Sequence, residues 1–381
     1  MTAEQPLPSS RDKTLFTPGP LTTSLNVKQA MLRDAGSWHA EFNAVVAAIR
    51  EQLLSLAGVS RDAGYEAILM QGSGSFGVEA VITSTVPRDG KLLVVVNGAY
   101  GQRAVRMAEV AGIEAAVLPF PEDTPADPDG VRAALAADGA ITSVIAVHCE
   151  TTTGLINPIA EIGRAVKDAG RVYIADVMSS FGAVPIDLPG FGIDFAVSSS
   201  NKCIEGVPGF SFVIARRDEL LKTEGYARSH SLDLLDQWKG FDKNGQFRFT
   251  PPTHAILAFE QALRELEMEG GAEARARRYR ANHAALVQGM RALGFREYLR
   301  PEHQSYIITS FHYPAHPAFR YEEFYQRLSD KGMIIYPGKL TDVETFRIGN
   351  IGRIFEQDIR YLLEAIREAL QEMGVPPNEF G

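Results

Sequence analysis

Between residues 67 and 215 the chain repeats one pattern: a short apolar run, a polar turn, then a segment with helical spacing of apolar residues. The runs 67–70, 92–96, 115–118, 141–147, 172–176, one ending at Ser200, and 210–215 read as strands. Between them, 76–85, 101–111 and 158–169 read as helices. Residues 141–147 show no polar alternation beyond Thr142 and Ser143, as expected of a strand buried on both faces. Such alternation of strand and helix specifies an α/β fold whose mostly parallel sheet is covered by helices on both sides. Sheets of this kind place ligands at the carboxyl ends of their strands, so the residues that follow each run are where chemistry is to be sought.

The texture changes after Pro251-Pro252. Two long amphipathic helices, 254–269 and 273–293, are followed by short strands at 306–311 and 333–336 and helices at 321–330 and 357–372. At 381 residues the chain exceeds what one small core accommodates. The expected organisation is a leader over 1–14, disordered or an arm onto a partner subunit, a large domain over 15–269, and a smaller α+β domain over 270–381. Residues 15–35, which include a helix at 24–33, are expected to pack with the small domain, and a further helix is expected at 41–57.

A net charge of -9 leaves no basic excess to neutralise phosphates, which argues against nucleic-acid and anionic-membrane partners. Arg275, Arg277, Arg278 and Arg280 follow Glu265, Glu267 and Glu269, and this run reads as a solvated helix face. Two cysteines, Cys149 and Cys203, imply neither a disulfide framework nor a four-ligand metal site, and both read as structural. No apolar run has the length of a membrane span, and the leader lacks the apolar core of a signal peptide. The expected compartment is the reducing cytoplasm.

Two strand ends stand out. The run 172–176 ends in Asp176, and the run through Asn201 ends at Lys202, just before the turn-rich Gly206-Val207-Pro208-Gly209. A strand-end lysine and a strand-end aspartate suit pyridoxal phosphate (PLP): the amine forms an imine with the cofactor, and the carboxylate keeps its ring nitrogen protonated. Taken singly, Lys202 is equally a solvated loop residue and Asp176 a helix cap.

Gln71-Gly72-Ser73-Gly74-Ser75-Phe76-Gly77 joins a strand to a helix. Backbone amides at a helix start, unobstructed at glycine, bind phosphate oxygens, and the two serines add hydroxyl donors. Gly72, Gly74 and Gly77 also match the dinucleotide fingerprint, but the next strand ends in Asn97 with no acidic residue for a ribose. A tight turn without a ligand stays open. Tyr100 has the flat face to cover a planar ring, or packs on its own helix. Thr151, Thr152 and Thr153 supply hydroxyls after another strand, or form a polar turn. Arg347 lies among apolar residues in Thr345-Phe346-Arg347-Ile348-Gly349-Asn350. A buried guanidinium requires a partner, either a protein carboxylate or an anionic substrate.

From Leu15 onward these segments resemble the fold-type I, class V aminotransferases. The resemblance is carried by Leu15-Phe16-Thr17-Pro18-Gly19-Pro20, Gly72-Ser73-Gly74-Ser75, Asn97-Gly98-Ala99-Tyr100-Gly101, Glu150-Thr151-Thr152-Thr153-Gly154, Ser200-Asn201-Lys202, Arg248-Phe249-Thr250-Pro251-Pro252, Tyr336-Pro337-Gly338-Lys339 and Phe346-Arg347-Ile348-Gly349-Asn350. It implies PLP as cofactor and no metal. Lys202 would carry PLP, Asp176 would pair with its ring nitrogen, and Ser73, Gly74 and Ser75 would hold its phosphate. Tyr100 would stack on the ring and Thr151 would bond its phenolic oxygen. Thr250 would reach a phosphate in the neighbouring subunit, which implies a homodimer. Arg347 would grip the substrate anion. Within the family the motifs are most similar to members that move the amino group of 2-aminoethylphosphonate to pyruvate, giving phosphonoacetaldehyde and L-alanine. The alternative is an alanine–glyoxylate or serine–pyruvate amino transfer. Two positions depart from the family pattern. His39 stands where an acidic residue is usual, and Glu205 where glutamine is frequent. Both are expected near the pocket mouth, where they would bear on substrate choice.

Overall fold

A computed structural model of the chain describes residues 12–340 and 343–377. At its centre is a seven-stranded sheet in the order Tyr65–Gln71, Phe210–Arg216, Phe195–Ser199, Val172–Asp176, Ile141–Val147, Lys91–Val96, Glu114–Pro119. Phe210–Arg216 runs antiparallel to both of its neighbours, and every other adjacent pair is parallel. Successive residues of a strand face opposite sides. All five residues of Phe195–Ser199 are buried, so the sheet is covered on both faces there. Glu114–Pro119, at the edge, is largely open to solvent. Helices Gly74–Thr85, Ala99–Val110 and Ile159–Asp168 connect the parallel strands and pack on the sheet, completing the main apolar core around Ile68, Val94, Ile174, Val197 and Phe212.

A second core gathers Leu286, Phe311, Phe324, Phe346 and Ile366. It is backed by a three-stranded antiparallel sheet, Ile308–His312, Thr345–Gly349 and Tyr336–Pro337. Helix Thr253–Glu269 belongs to the first core, while the end of helix Gly271–Ala292 supplies Leu286 and Met290 to the second. The chain turns sharply between these helices at Gly270 (φ 104°) and Gly271 (φ 77°), conformations that favour glycine.

Several boundaries differ from expectation. Residues 1–11 of the expected leader lie outside the described residues. Thr14, placed in that leader, instead begins a short strand, Thr14–Leu15, which runs parallel to Met333–Ile334. Phe16 enters the second core. The run 333–336 is divided, because Met333–Ile334 pairs with this N-terminal strand whereas Tyr336–Pro337 pairs with Thr345–Gly349. The helix expected over 24–33 is confined to Leu25–Gln29. Helices Pro128–Ala137 and Leu234–Asn244 went unread from apolar spacing, although both carry start signals. Asp127 accepts from the Asp129 amide (3.0 Å) ahead of a first-turn proline, and Asp233 accepts from the Asp236 amide (3.0 Å). No helix among the described residues is long and apolar enough to cross a membrane.

Candidate active site

Parallel pairing sets the Lys202 and Asp176 strand ends side by side, with Asp176 in register with Val197 on the neighbouring strand. Both residues line one cavity, together with Ser73, Gly74, Ser75, Tyr100 and Arg103. The cavity encloses about 650 Å³ including its open mouth. Asp176 accepts from the Met178 amide (2.9 Å) at Oδ1. No cation among the described residues forms an ion pair with it, and burial pushes its pKa up to about 6. Lys202 Nζ donates to the Pro18 carbonyl (2.7 Å), and loss of water pushes its pKa down.

That proline belongs to Thr17-Pro18-Gly19-Pro20, which sequence alone marks only as a turn. Gly19 has φ +119°, and a Cβ there would come within 2.9 Å of Lys202 Cδ and Nζ. Glycine is therefore required for this segment to lie against the lysine.

Ser73 sits at the start of helix Gly74–Thr85 with no side-chain capping bond, leaving its hydroxyl and the Gly74 and Ser75 amides available to a ligand, while the Phe76 amide donates to the Ser73 carbonyl (2.9 Å). A Cβ at Gly74 would meet the end of the Met178 side chain, which would have to swing aside to admit it. Arg103 Nη1 donates to Ser75 Oγ (3.0 Å). Arg103 thus adds a cation beside the loop, a contribution the sequence motif did not reveal.

Tyr100 is held from behind by Glu150. This carboxylate is completely buried, and it accepts from the amides of Tyr100 (3.2 Å) and Thr152 (3.0 Å) and from the Thr152 hydroxyl (2.7 Å). A carboxylate at a helix start satisfies otherwise unpaired amides and complements the helix dipole. The Arg103 guanidinium lies 4.8 Å from the Tyr100 ring centre and Lys339 Nζ 4.9 Å from it. Burial would raise the Tyr100 phenol, but the Lys202 charge, a hydrogen bond with Thr151 and the Lys339 charge bring it below its ordinary pKa. Thr151 is therefore engaged with Tyr100 through its side chain.

Arg347 is only 2% exposed. Its Nε donates to the Pro337 carbonyl (2.9 Å) and its Nη1 to the Thr151 carbonyl (2.7 Å). Among the described residues no carboxylate forms an ion pair with it, and none accepts from Nη2. Of the two partners the sequence left open, a protein carboxylate is thus absent from the described residues.

Other expected positions fall elsewhere. Thr250 is exposed and does not line the cavity; its carbonyl lies 3.5 Å from Gln71 Nε2. His39 does not stand at the mouth of this chain's cavity. It is exposed in a separate hollow with Arg33, Asp34 and Phe42. Glu205 is also displaced from the mouth. It is 3% exposed and accepts from Tyr279 OH (2.6 Å) and Arg278 Nη2 (2.7 Å), with Arg275 Nη1 at 3.3 Å. Its φ of 66° is a left-handed conformation unusual for a glutamate, and its amide donates to the Lys202 carbonyl (2.8 Å). The same cluster divides the expected solvated arginine face: Arg277 and Arg280 are exposed, whereas Arg275 and Arg278 turn to the buried Glu205. Arg275 is fully buried and bonds Glu269 (2.8 Å) and the Cys203 carbonyl (2.6 Å). Charge order along a helix cannot distinguish a solvated face from one folded against a buried carboxylate.

The residues present fit PLP. They offer an amine with lowered pKa, a buried carboxylate without a cation partner among the described residues, and a helix start at Gly74 whose capping serine makes no side-chain bond to the helix. Among the described residues no grouping of side chains could hold a metal ion.

Comparison with known proteins agrees. The chain is 53% identical over 94% of its length to a 2-aminoethylphosphonate–pyruvate transaminase of Syntrophobacter fumaroxidans, covering 97% of that protein. It is 52% identical over 92% of its length to a protein of the same name from Lysinibacillus sphaericus, covering 96% of it. Its fold matches the crystal structure of ureidoglycine–glyoxylate aminotransferase from Bacillus subtilis with a TM-score of 0.87 at 22% identity, covering 99% of this chain and 96% of that one. The family model for Aminotransferase class-V matches residues 22–341, and the chain belongs to that family.

Proposed function

We propose that the protein transfers the amino group of 2-aminoethylphosphonate to pyruvate, giving phosphonoacetaldehyde and L-alanine, with PLP as cofactor. The reading rests on the meeting of Lys202, Asp176 and the Ser73-Gly74-Ser75 helix start in one cavity. The relatives that share more than half of its sequence carry that activity in their names, which supports the choice of substrates.

Ser73, Gly74 and Ser75 would hold the cofactor phosphate, with Arg103 adding charge beside them. Asp176 would pair with the ring nitrogen, Tyr100 would lie against the ring, and Lys202 would anchor the aldehyde carbon. When bound, PLP supplies the electron sink that makes the carbon–hydrogen bond next to nitrogen breakable. Asp176, ionised above about pH 6, would be the anion that keeps the bound ring protonated. Lys202, its pKa pushed down by loss of water, would hold and move the proton at Nζ. Arg347, with no carboxylate among the described residues to satisfy it, would receive the phosphonate in the first half-reaction and the carboxylate of pyruvate in the second.

Residues 15–269 would form the cofactor-binding domain and 270–381 the domain that supplies Arg347. Thr250, exposed on this chain, would serve the phosphate of a partner subunit in a homodimer. The proposed compartment is the cytoplasm. The test is alanine formation from pyruvate by the PLP-loaded protein with 2-aminoethylphosphonate, compared with L-serine as donor and with L-alanine plus glyoxylate. A higher rate with either of the latter pairs would replace the phosphonate reading with the corresponding amino-acid activity.

A further inference from the structure

We infer that Lys339 is a specificity residue for the amino donor, forming with Arg347 a two-cation grip that selects a doubly charged phosphonate over a singly charged carboxylate. The inference rests on the phosphonate activity proposed above and deepens it.

Lys28, Lys91, Lys167, Lys222, Lys239 and Lys331 each hold a carboxylate within 4 Å. Lys339 holds none among the described residues. Its Nζ lies instead 3.4 Å from Tyr100 OH, over a ring that lines the cavity with Lys202 and Asp176. The backbone fixes this placement. Gly338 donates to the Thr345 carbonyl (2.9 Å), and a Cβ on Gly338 would clash with that same oxygen. The turn is therefore pressed flat against the strand that carries Arg347. The preceding residue, Pro337, accepts from Arg347 Nε, so the chain that holds the arginine also delivers the lysine.

Both cations act on Tyr100: the Arg347 charge lowers its phenol, and Lys339 Nζ lies 3.4 Å from its hydroxyl. Neither has a protein anion among the described residues. A carboxylate satisfies one planar guanidinium, whereas a tetrahedral phosphonate dianion presents three oxygens and two charges, enough for both. Lys339 is exposed, with a flexible stem, so it can leave the Tyr100 hydroxyl for a ligand oxygen at little cost. Its contribution is thus expected with the phosphonate and not with alanine or pyruvate.

The experiment uses PLP-loaded enzyme in mildly alkaline buffer. Binding of ethylphosphonate, its monomethyl ester and propionate is measured by calorimetry in wild type, Lys339→Met and Lys339→Arg. Wild type should prefer the dianion to its monoester by about tenfold or more. Lys339→Met should lose that preference and bind propionate within roughly twofold of wild type. Lys339→Arg should keep most of the preference. In kinetics, kcat/KM for 2-aminoethylphosphonate should fall about tenfold or more in Lys339→Met while that for L-alanine stays within roughly twofold. An equal fall for both amines would show that the lysine acts through Tyr100, and the inference would be wrong. An unchanged dianion preference in Lys339→Met, or no such preference in wild type, also overturns it. The wild-type comparison needs no variant to fold. If wild type fails to turn over the phosphonate, the proposed activity falls, while the binding measurements still decide the charge discrimination.

Discussion

Asp176→Asn separates what this carboxylate does for catalysis from what it does to folding. In the cofactor-free protein its pKa is pushed up to about 6 from an ordinary 3.8, chiefly by burial. A raised carboxylate pKa means that the ionised form is disfavoured in the folded state. Below about pH 4 the folded and unfolded chains are both protonated at this site, and there is no penalty. Between the two pKa values the penalty grows, and above about pH 6 it is complete. The change from 3.8 to about 6 corresponds to roughly 3 kcal/mol. At about 2 cal/mol/K of unfolding entropy per residue, a chain of 381 residues changes its Tm by roughly 4 °C for that free energy. The amide of asparagine carries no charge to bury. Cofactor-free Asp176→Asn is therefore expected to melt above wild type at pH 8, with the difference vanishing toward pH 4. With PLP bound, its transaminase rate should fall by about two orders of magnitude or more, because the ring nitrogen loses its anion. Scanning calorimetry across pH checks the stability arm. A difference independent of pH, or a wild type more stable than the variant at pH 8, would refute the claim that burial dominates this carboxylate.

Three further outcomes follow from the same geometry. Arg347→Met should lower kcat/KM by about a hundredfold or more for 2-aminoethylphosphonate and pyruvate alike, while leaving the absorbance of bound PLP intact; loss of PLP would move this arginine into the cofactor site. Gly19→Ala brings a methyl group within 2.9 Å of the Lys202 amine at a backbone angle that alanine resists, so PLP uptake monitored by absorbance should slow and weaken. Glu205→Ala removes one of the two carboxylates beside the buried guanidinium of Arg275, leaving Glu269, and should cost about 1–3 kcal/mol in urea unfolding, whereas Glu205→Gln, which can still accept from Tyr279 OH, should cost less. Equal losses for the two Glu205 variants would show that charge, not hydrogen bonding, is what the cluster needs.

The sheet was legible because its strands are short, apolar and buried on both faces, so that their ends could be read nearly to the residue. Asp176 ends one such strand and Lys202 lies three residues beyond another, which is why the sequence pairs them. Glycines and serines at a strand-to-helix junction disclosed the phosphate loop for the same local reason. What stayed hidden depends on meetings between distant segments. Arg103 joins Ser75 because helices Gly74–Thr85 and Ala99–Val110 pack together, although four other strands separate the strands that precede them. Glu205 looked like a pocket residue from its closeness to Lys202, yet a left-handed turn directs it to Arg278 and Tyr279, more than seventy positions on. Helix Pro128–Ala137 was missed although Asp127-Pro128 marks its start; cap chemistry there says more than apolar spacing.

The short N-terminal stretch has a practical consequence. Thr14–Leu15 is tied to Met333–Ile334, the Phe16 carbonyl accepts from the Gly349 amide (2.9 Å), and the Pro18 carbonyl receives the Lys202 amine. One ribbon of chain therefore touches the reactive nitrogen and the strand bearing Arg347 at once. A protease nick or an ill-placed affinity handle here would loosen the lysine and the substrate grip together, an injury that routine inspection of either site alone would not explain.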